Sequence, residues 1–272
     1  MDFKKILVRS ASGLVYCLVI VGAILCGGDG IIVLASLLSA IACCEFSNIS
    51  HTLNMRQLPA LLLDVAGCIL LSLGFLVYPL MVWIAVMVLR MVLELYLNTD
   101  RPLRDLSHSM MSQVYIGMPM GLMVLTGYMF DPHILLAVFF FIWINDTGAF
   151  LVGSAVGKHR LFERISPKKS WEGFFGGLVF NLGAACLFYY FCNSFFGMQR
   201  FDATVWTWLL MATIVTVFGT WGDLVESMIK RSLHIKDSGH WIPGHGGLLD
   251  RIDSFLLAMP VVFLFLFIRL CI

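Results

Sequence analysis

Charge is what this sequence has least of. Of its 272 residues, 13% are Asp, Glu, Lys or Arg, about half the share found in a soluble domain. Hydrophobic residues make up 60%, and the mean hydropathy is +0.90. Such a composition excludes an ordinary water-soluble domain. Paired cysteine motifs are also missing. Eight cysteines lie in or beside apolar segments and none forms a CxxC pair, which excludes a zinc ribbon and a disulfide framework. They read as small apolar packing residues. There is no low-complexity linker, no internal repeat and no soluble domain of useful size. Lys4, Lys5 and Arg9 precede an apolar run, but without a small-residue cleavage site the run reads as a retained span rather than a signal peptide.

What is present is long apolar runs, such as "LLAVFFFIW" and "MPVVFLFLFI". Crossing about 30 Å of hydrocarbon takes about 20 mostly apolar residues as a helix, and open sheets are excluded there because their backbone groups would go unpaired. The expected fold is therefore an all-α, polytopic membrane protein with about nine transmembrane helices. The expected segments are 10–27, 31–49, 58–77, 79–97, 113–130, 133–153, 172–195, 203–229 and 254–272. The break between the third and fourth falls at Tyr78-Pro79, where proline suits a helix start. The expected organisation is a set of N-terminal spans over 1–130, and a C-terminal half over 131–272 carrying the catalytic loops, all in one membrane unit.

The positive residues test this count. With nine alternating spans, fifteen of the 18 Lys and Arg fall on one side. Of the other three, Arg90 lies inside a span, and Arg200 and Arg269 lie on the far side. The positive-inside rule then puts the N-terminus in the cytoplasm and the C-terminus outside, with a bacterial inner membrane as the expected location. The two large loops, 154–171 and 230–253, hold most of the charge and face the cytoplasm.

Ionisable groups within a membrane mark functional sites by default, and four sets stand out. Asp223, Glu226, Ser227, Lys230 and Arg231 end the eighth span. Asp223, Ser227 and Lys230 share one face at i, i+4, i+7, although a solvated helix end with an internal Lys–Asp pair explains them equally. "PGHGG", residues 243–247, turns the backbone sharply and lets main-chain N–H groups approach phosphate. Asp250 and Asp253 follow at i, i+3. Carboxylates with few histidine or cysteine neighbours suit a hard cation such as Mg²⁺, while an Asp-rich helix start is also simply what the helix dipole favours. In "ISPKKSWEG", Pro167 with Ser166 as its cap would open a helix, and Ser170–Gly173 lacks the Glu or Gln of a capping box. Lys168 and Lys169 fit either topological anchors or an anion site. In "INDTGAF", Asp146 sits within a span and needs a partner. Arg90 and Glu94, one turn apart, are expected to pair. Glu45 lies in the second span with no partner identifiable from sequence.

The segment "SMIKRSLHIKDSGHWIPGHGGLLDRID", residues 227–253, resembles the signature of the phosphatidate cytidylyltransferases, also called CDP-diacylglycerol synthases. Its pattern is Ser, two residues, Lys-Arg, four residues, Lys-Asp, a spacer, Pro, His-Gly-Gly and Asp-Arg-x-Asp. "DTGAFLVGSAVGKHRLFERISPKKSWEGFFGG" upstream is similar to the family's second block, with Asp146, Gly153, Gly157, Lys158, Ser166, Pro167, Lys168, Lys169, Glu172 and Gly173 matching. The first 130 residues match only as hydrophobic spans.

The resemblance implies transfer of a cytidylyl group from CTP to phosphatidate, giving CDP-diacylglycerol and pyrophosphate. It implies Mg²⁺ held by Asp223 and Asp250, and a second cation. Lys230, Arg231, Lys236 and His245 would surround phosphates. Asp237, Arg251 and Asp253 would complete the catalytic set, with the aspartates positioning substrate. Asp146, Ser166, Lys168, Lys169, Ser227, Gly246 and Gly247 would bind substrate. The expected partners are CTP, phosphatidate, the lipid bilayer and a second copy of the chain as a homodimer; no nucleic acid is expected. The alternatives are a CTP-dependent polyprenol or phytol kinase, which would release CDP, and a transporter lined by Asp146, Arg90 and Glu94. The complete signature disfavours the first, and the missing repeat symmetry disfavours the second.

Overall fold

The helix Val77–Leu97 (α4) is built inside out for water. Its exposed positions include Val77, Tyr78, Met81, Ile84, Val88, Leu89, Val92 and Leu95, whereas Arg90 and Glu94 are only 2% and 6% exposed. In water this would waste apolar burial and strand two charges. Against lipid tails it leaves apolar side chains in an apolar solvent and keeps ionic groups paired within protein. The chain is a membrane protein, and this arrangement is the reason in miniature.

The computed structural model describes residues 3–50, 57–74, 76–97, 99–201, 203–235, 238–239 and 246–271. Among them the helices are α1 (Phe3–Leu25), α2 (Gly28–Ser50), α3 (Leu58–Ser72), α4, α5 (Pro102–Ser112), α6 (Met118–Met129), α7 (Pro132–Val156), α8 (Trp171–Leu187), α9 (Val205–Ser232) and α10 (Leu249–Cys271). A wide turn of π-helix, Gln113–Gly117, joins α5 to α6 without a break, and another, Phe188–Cys192, extends α8. The described residues thus form nine continuous helical rods, as the sequence suggested. Six are long and apolar enough to cross a membrane, and Ser10–Leu25 and Leu58–Ser72 are shorter apolar helices.

Several boundaries differ from expectation. The rod expected at 113–130 begins at Pro102, because Pro102 opens a polar first half that hydropathy alone does not register. Pro79 lies in the first turn of α4 rather than at its start. The last helix begins at Leu249, five residues early, which puts Asp250 and Asp253 on it. The largest correction is at Ser166–Pro167. This segment is a strand, β2 (Ser166–Ser170), paired antiparallel with β1 (Arg160–Phe162). The helix opens instead at Ser170, whose hydroxyl accepts from Gly173 N–H at 3.1 Å. Ser170 is thus a lone N-cap without the second half of a capping box.

The chain divides into two compact units, Met1–Leu125 with Leu233–Ile252, and Thr126–Ser232 with Asp253–Ile272. In the first, α2 packs on α1 and α3, and α3 packs on α4. Its buried polar centre is Arg90, whose guanidinium meets Asp64 at 3.3 Å and Glu94 at 2.7 Å. Two carboxylates face one cation, and hydroxyl donors meet the excess. Ser109 donates to Asp64, and Thr99 donates to Glu94 at 2.5 Å. Gln113 ties the set to the π turn by donating to the Asp64 carbonyl at 2.9 Å and accepting from Trp83 Nε1 at 3.2 Å.

In the second unit, α7 packs on α8 and α9, and small residues set the spacing. A Cβ on Gly173 would lie 2.9 Å from the Ala149 carbonyl oxygen, and one on Gly177 would lie 3.0 Å from the Asn145 carbonyl oxygen. Asn181 on α8 donates to Thr216 on α9 at 2.8 Å. Phe139 on α7 stacks on Phe255 on α10 at 4.8 Å.

Replacing Arg90 by leucine strands Asp64 and Glu94 in the interior. The expected loss is about 3–5 kcal/mol, the usual consequence of breaking a buried ion pair from one side. Thermal unfolding in detergent checks this, and a midpoint equal to that of the parent protein contradicts it.

Candidate active site

In the second unit the polar groups gather where β2, α7, α9 and α10 present them. Lys169 of β2 reaches Asp223 of α9, with Nζ 2.7 Å from Oδ2; the same Nζ lies 3.4 Å from the Thr220 carbonyl oxygen. The other Asp223 oxygen accepts from Ser227 Oγ, one turn on, at 3.2 Å. Lys169 and Asp223 keep 26% and 37% of their side-chain surface exposed, so water and solutes reach the pair.

Glycine brings α10 to this place. A Cβ on Gly222 would lie 2.5 Å from the Asp253 carbonyl oxygen and 3.1 Å from Ser254 Cα, so only glycine allows the two backbones to approach this closely. Asp253 is 9% exposed. Its Oδ1 accepts from Ser254 N–H at 2.6 Å. Asp223 and Asp146 repel its charge and Lys169 attracts it. Asp253 thus lies within the electrostatic reach of two other carboxylates and of Lys169.

The sequence-predicted residues fall into groups. Asp146, Lys169, Asp223, Ser227 and Asp253 come together in the second unit as described. The alternative of an internal Lys230–Asp223 pair is not met. Lys230 Nζ pairs with Glu226, one turn back, at 2.8 Å, because Lys169 already occupies the Asp223 carboxylate. Arg231 Nε donates to the Ile165 carbonyl at 3.4 Å, which ties the end of α9 to the β1–β2 turn. Lys168 and Pro167 are exposed on β2, and Ser166 is half-buried. Glu172 accepts from the His159 backbone N–H at 3.2 Å and lies 2.6 Å from its ring Nδ1. That contact closes the base of the hairpin. Lys236, Asp237 and His245 lie outside the described residues.

In the first unit, Asp250 Oδ2 accepts from Ser238 N–H at 3.2 Å and from Gly247 N–H at 3.0 Å. Gly246 adopts φ +89°, in the left-handed region that a glycine turn requires. The Arg251 carbonyl accepts from Tyr16 OH of α1 at 3.1 Å. One residue beyond the predicted set belongs here. Glu45 of α2, 1% exposed, accepts from the N–H groups of Leu248 at 2.8 Å and Leu249 at 2.7 Å, and Ser238 Oγ lies 3.4 Å away. The signal available in the sequence was a lone carboxylate in an apolar run. Its partners are backbone amides about 200 residues on, which no side-chain pattern announces.

The donors around Asp223 and Asp253 are hard oxygens, and they fit Mg²⁺ rather than a soft metal. Among the described residues no three His, Cys, Asp or Glu side chains form a closed metal cage.

Comparison with known proteins bears on the same residues. The model of the cytidylyltransferase family matches residues 7–269. A protein of Staphylococcus aureus (strain COL) named phosphatidate cytidylyltransferase is 33% identical over 271 residues, covering 94% of this chain and 96% of that one. A protein of the same name from Staphylococcus haemolyticus is also 33% identical, over 268 residues. One from Staphylococcus saprophyticus is 40% identical over 159 residues, covering 58% of each chain. A match that runs through both units, first 130 residues included, makes this membrane protein a member of the cytidylyltransferase family and a nucleotidyltransferase.

Proposed function

We propose that the chain transfers the cytidylyl group of CTP to phosphatidate, forming CDP-diacylglycerol and releasing pyrophosphate. The observation that carries this reading is the Lys169–Asp223–Ser227 arrangement beside Asp253. It combines a cation poised at an accessible carboxylate with a second carboxylate, all on a membrane-embedded scaffold. A phosphate oxygen of phosphatidate attacks the α-phosphorus of CTP, a new P–O bond forms, and the bond to the β-phosphate oxygen breaks with its electrons leaving on pyrophosphate. The attacking oxygen is already ionised at neutral pH, so no strong general base is required. The work of the protein is alignment and charge compensation.

Lys169 is placed to exchange its carboxylate for phosphate oxygens when nucleotide arrives. Lys168, exposed beside it, adds positive potential. Arg231 fixes the hairpin that carries both. Asp223 and Asp250 are the residues assigned to hold Mg²⁺, which when bound offsets charge on the phosphoryl oxygens. A second cation remains part of the proposal without assigned ligands. Lys230, Lys236 and His245 are assigned to phosphates, Asp237 and Asp253 to positioning. A homodimer is likewise proposed rather than built into the mechanism.

We also propose that the β1–β2 hairpin faces the cytoplasm, where CTP is found, and that phosphatidate enters sideways from the bilayer. Drawing its chains into water instead would cost about 0.8 kcal/mol per CH₂. In a cysteine-free background, Glu163→Cys should react with an impermeant maleimide only from the cytoplasmic side and Gln199→Cys only from the other. Labelling of Glu163→Cys from outside intact cells overturns the orientation.

The assignment of the carboxylates predicts that Asp223→Asn and Asp250→Asn each abolish turnover in purified, folded protein supplied with phosphatidate and radiolabelled CTP. Formation of CDP-diacylglycerol at the parent rate by either variant refutes that residue's assignment. Appearance of CDP and a phosphorylated lipid instead refutes cytidylyl transfer itself.

The lysines are expected to separate. Lys169→Gln should lower kcat/KM for CTP by about 100-fold or more, as loss of a charge-assisted phosphate contact of about 3 kcal/mol would. Lys168→Gln should change it by less than about tenfold. Equal, small effects in correctly oriented protein would make both lysines topological anchors only.

A further inference from the structure

The start of α10 lacks a cap of its own. The first N–H groups of a helix have no partner within it, and a Ser, Thr, Asp or Asn just before the helix usually accepts them. Here the residues before Leu249 are Gly246, Gly247 and Leu248, which have no side-chain acceptor. The acceptor comes from α2. Glu45 places Oε1 on Leu248 N–H and Oε2 on Leu249 N–H, so its buried charge is met by backbone dipoles and the positive end of the helix.

The same carboxylate holds the other side of the loop. Ser238 Oγ donates to it. A Cβ on Gly239 would lie 2.7 Å from Oε1, and one on Gly247 would lie 2.8 Å from Oε2. Both glycines are therefore packed directly against the Glu45 carboxylate. Asp250 makes a second, interleaved clasp through the N–H groups of Ser238 and Gly247. Residues 238–239 and 247–249 are thus held together twice, by Glu45 from below and by Asp250 from within. The rotation of the Asp250 side chain depends on the position of the two amides it accepts, and Glu45 fixes their neighbours.

We infer that Glu45 is the positioning residue for Asp250, setting Gly247, Leu248 and the first turn of α10 so that the Asp250 carboxylate is presented in one orientation. The inference rests on the proposed reading in which Asp250 holds the cation. Partners of this kind typically change metal affinity or activity 10–100-fold when replaced.

Glu45→Gln keeps size and shape but turns one acceptor into an NH₂ donor facing a backbone N–H. Glu45→Asp keeps the charge and is one methylene shorter. Three readouts on purified protein decide the matter. The first is hydrogen exchange of the 246–252 segment, measured without nucleotide. The second is Mn²⁺ binding, measured by electron paramagnetic resonance in the absence of substrate. The third is the Mg²⁺ concentration giving half-maximal rate. Glu45→Gln is expected to speed exchange in 246–252 while leaving α7 and α8 unchanged. It should also weaken Mn²⁺ binding and raise the Mg²⁺ requirement, each by about tenfold, with KM for phosphatidate held within about twofold. Glu45→Asp should recover part of each effect.

Wild-type exchange and cation dependence in Glu45→Gln overturn the inference. So does a loss of rate with cation dependence unchanged, which would make Glu45 a general structural residue. If Glu45→Gln does not fold, the same measurements on Glu45→Asp decide, since that variant keeps the buried charge. Asp250→Asn assayed alongside separates the two failures. An active Asp250→Asn removes the proposed role of Asp250 itself, whereas an inactive one beside a normal Glu45→Gln removes only the role of Glu45.

Discussion

A carboxylate buried in a membrane protein must be matched by donors or cations, because the lipid supplies neither. This constraint organises the polar side chains of the chain. Glu45 and Asp64 are met by donors from other segments, which fixes how those segments pack, while Glu94 is met by Arg90 of its own helix and by Thr99 just beyond it. The polar groups act as pins in a structure whose apolar surfaces, alike on the lipid side and the protein side, specify little by themselves.

The ways the carboxylates are satisfied separate structure from chemistry. Around Arg90 the two acids share one guanidinium, and Ser109 and Thr99 take up the remainder. That set is closed and buried. Glu45 is met by the backbone at the head of α10, also closed. Around Asp253 the arrangement differs: Asp223 and Asp146 repel its charge, Lys169 attracts it, and the Lys169–Asp223 pair keeps access to solvent. A solvent-accessible Lys–Asp pair beside further carboxylates suits a place where a charged substrate arrives. The family membership gives that charge its chemical meaning, since nucleotide phosphates and their cation travel together.

Glycine plays the complementary part. Gly222 lets α9 and α10 approach at Asp253, Gly173 and Gly177 let α8 approach α7, and Gly247 lies against Glu45. Each occurs where a polar group has to be brought close to another backbone. Within residues 227–253, Gly239 and Gly247 both lie against the Glu45 carboxylate.

By itself the sequence determined the solvent, the number of helical rods and the identity of the chemistry. Hydropathy and charge segregation report directly on lipid, and the signature residues are contiguous enough to be read along the chain. The i, i+4 pairing of Arg90 with Glu94 was legible for the same reason, being local. Tertiary structure decided what depended on distant partners. Lys169, not Lys230, meets Asp223, because a two-stranded hairpin that propensity did not suggest at Ser166–Pro167 carries it there. Asp64 joins Arg90 from another helix. Glu45 caps a helix 204 residues away, through backbone amides that have no letter in the sequence. A pattern along the chain records which groups need partners, but only the fold brings those partners within hydrogen-bonding distance.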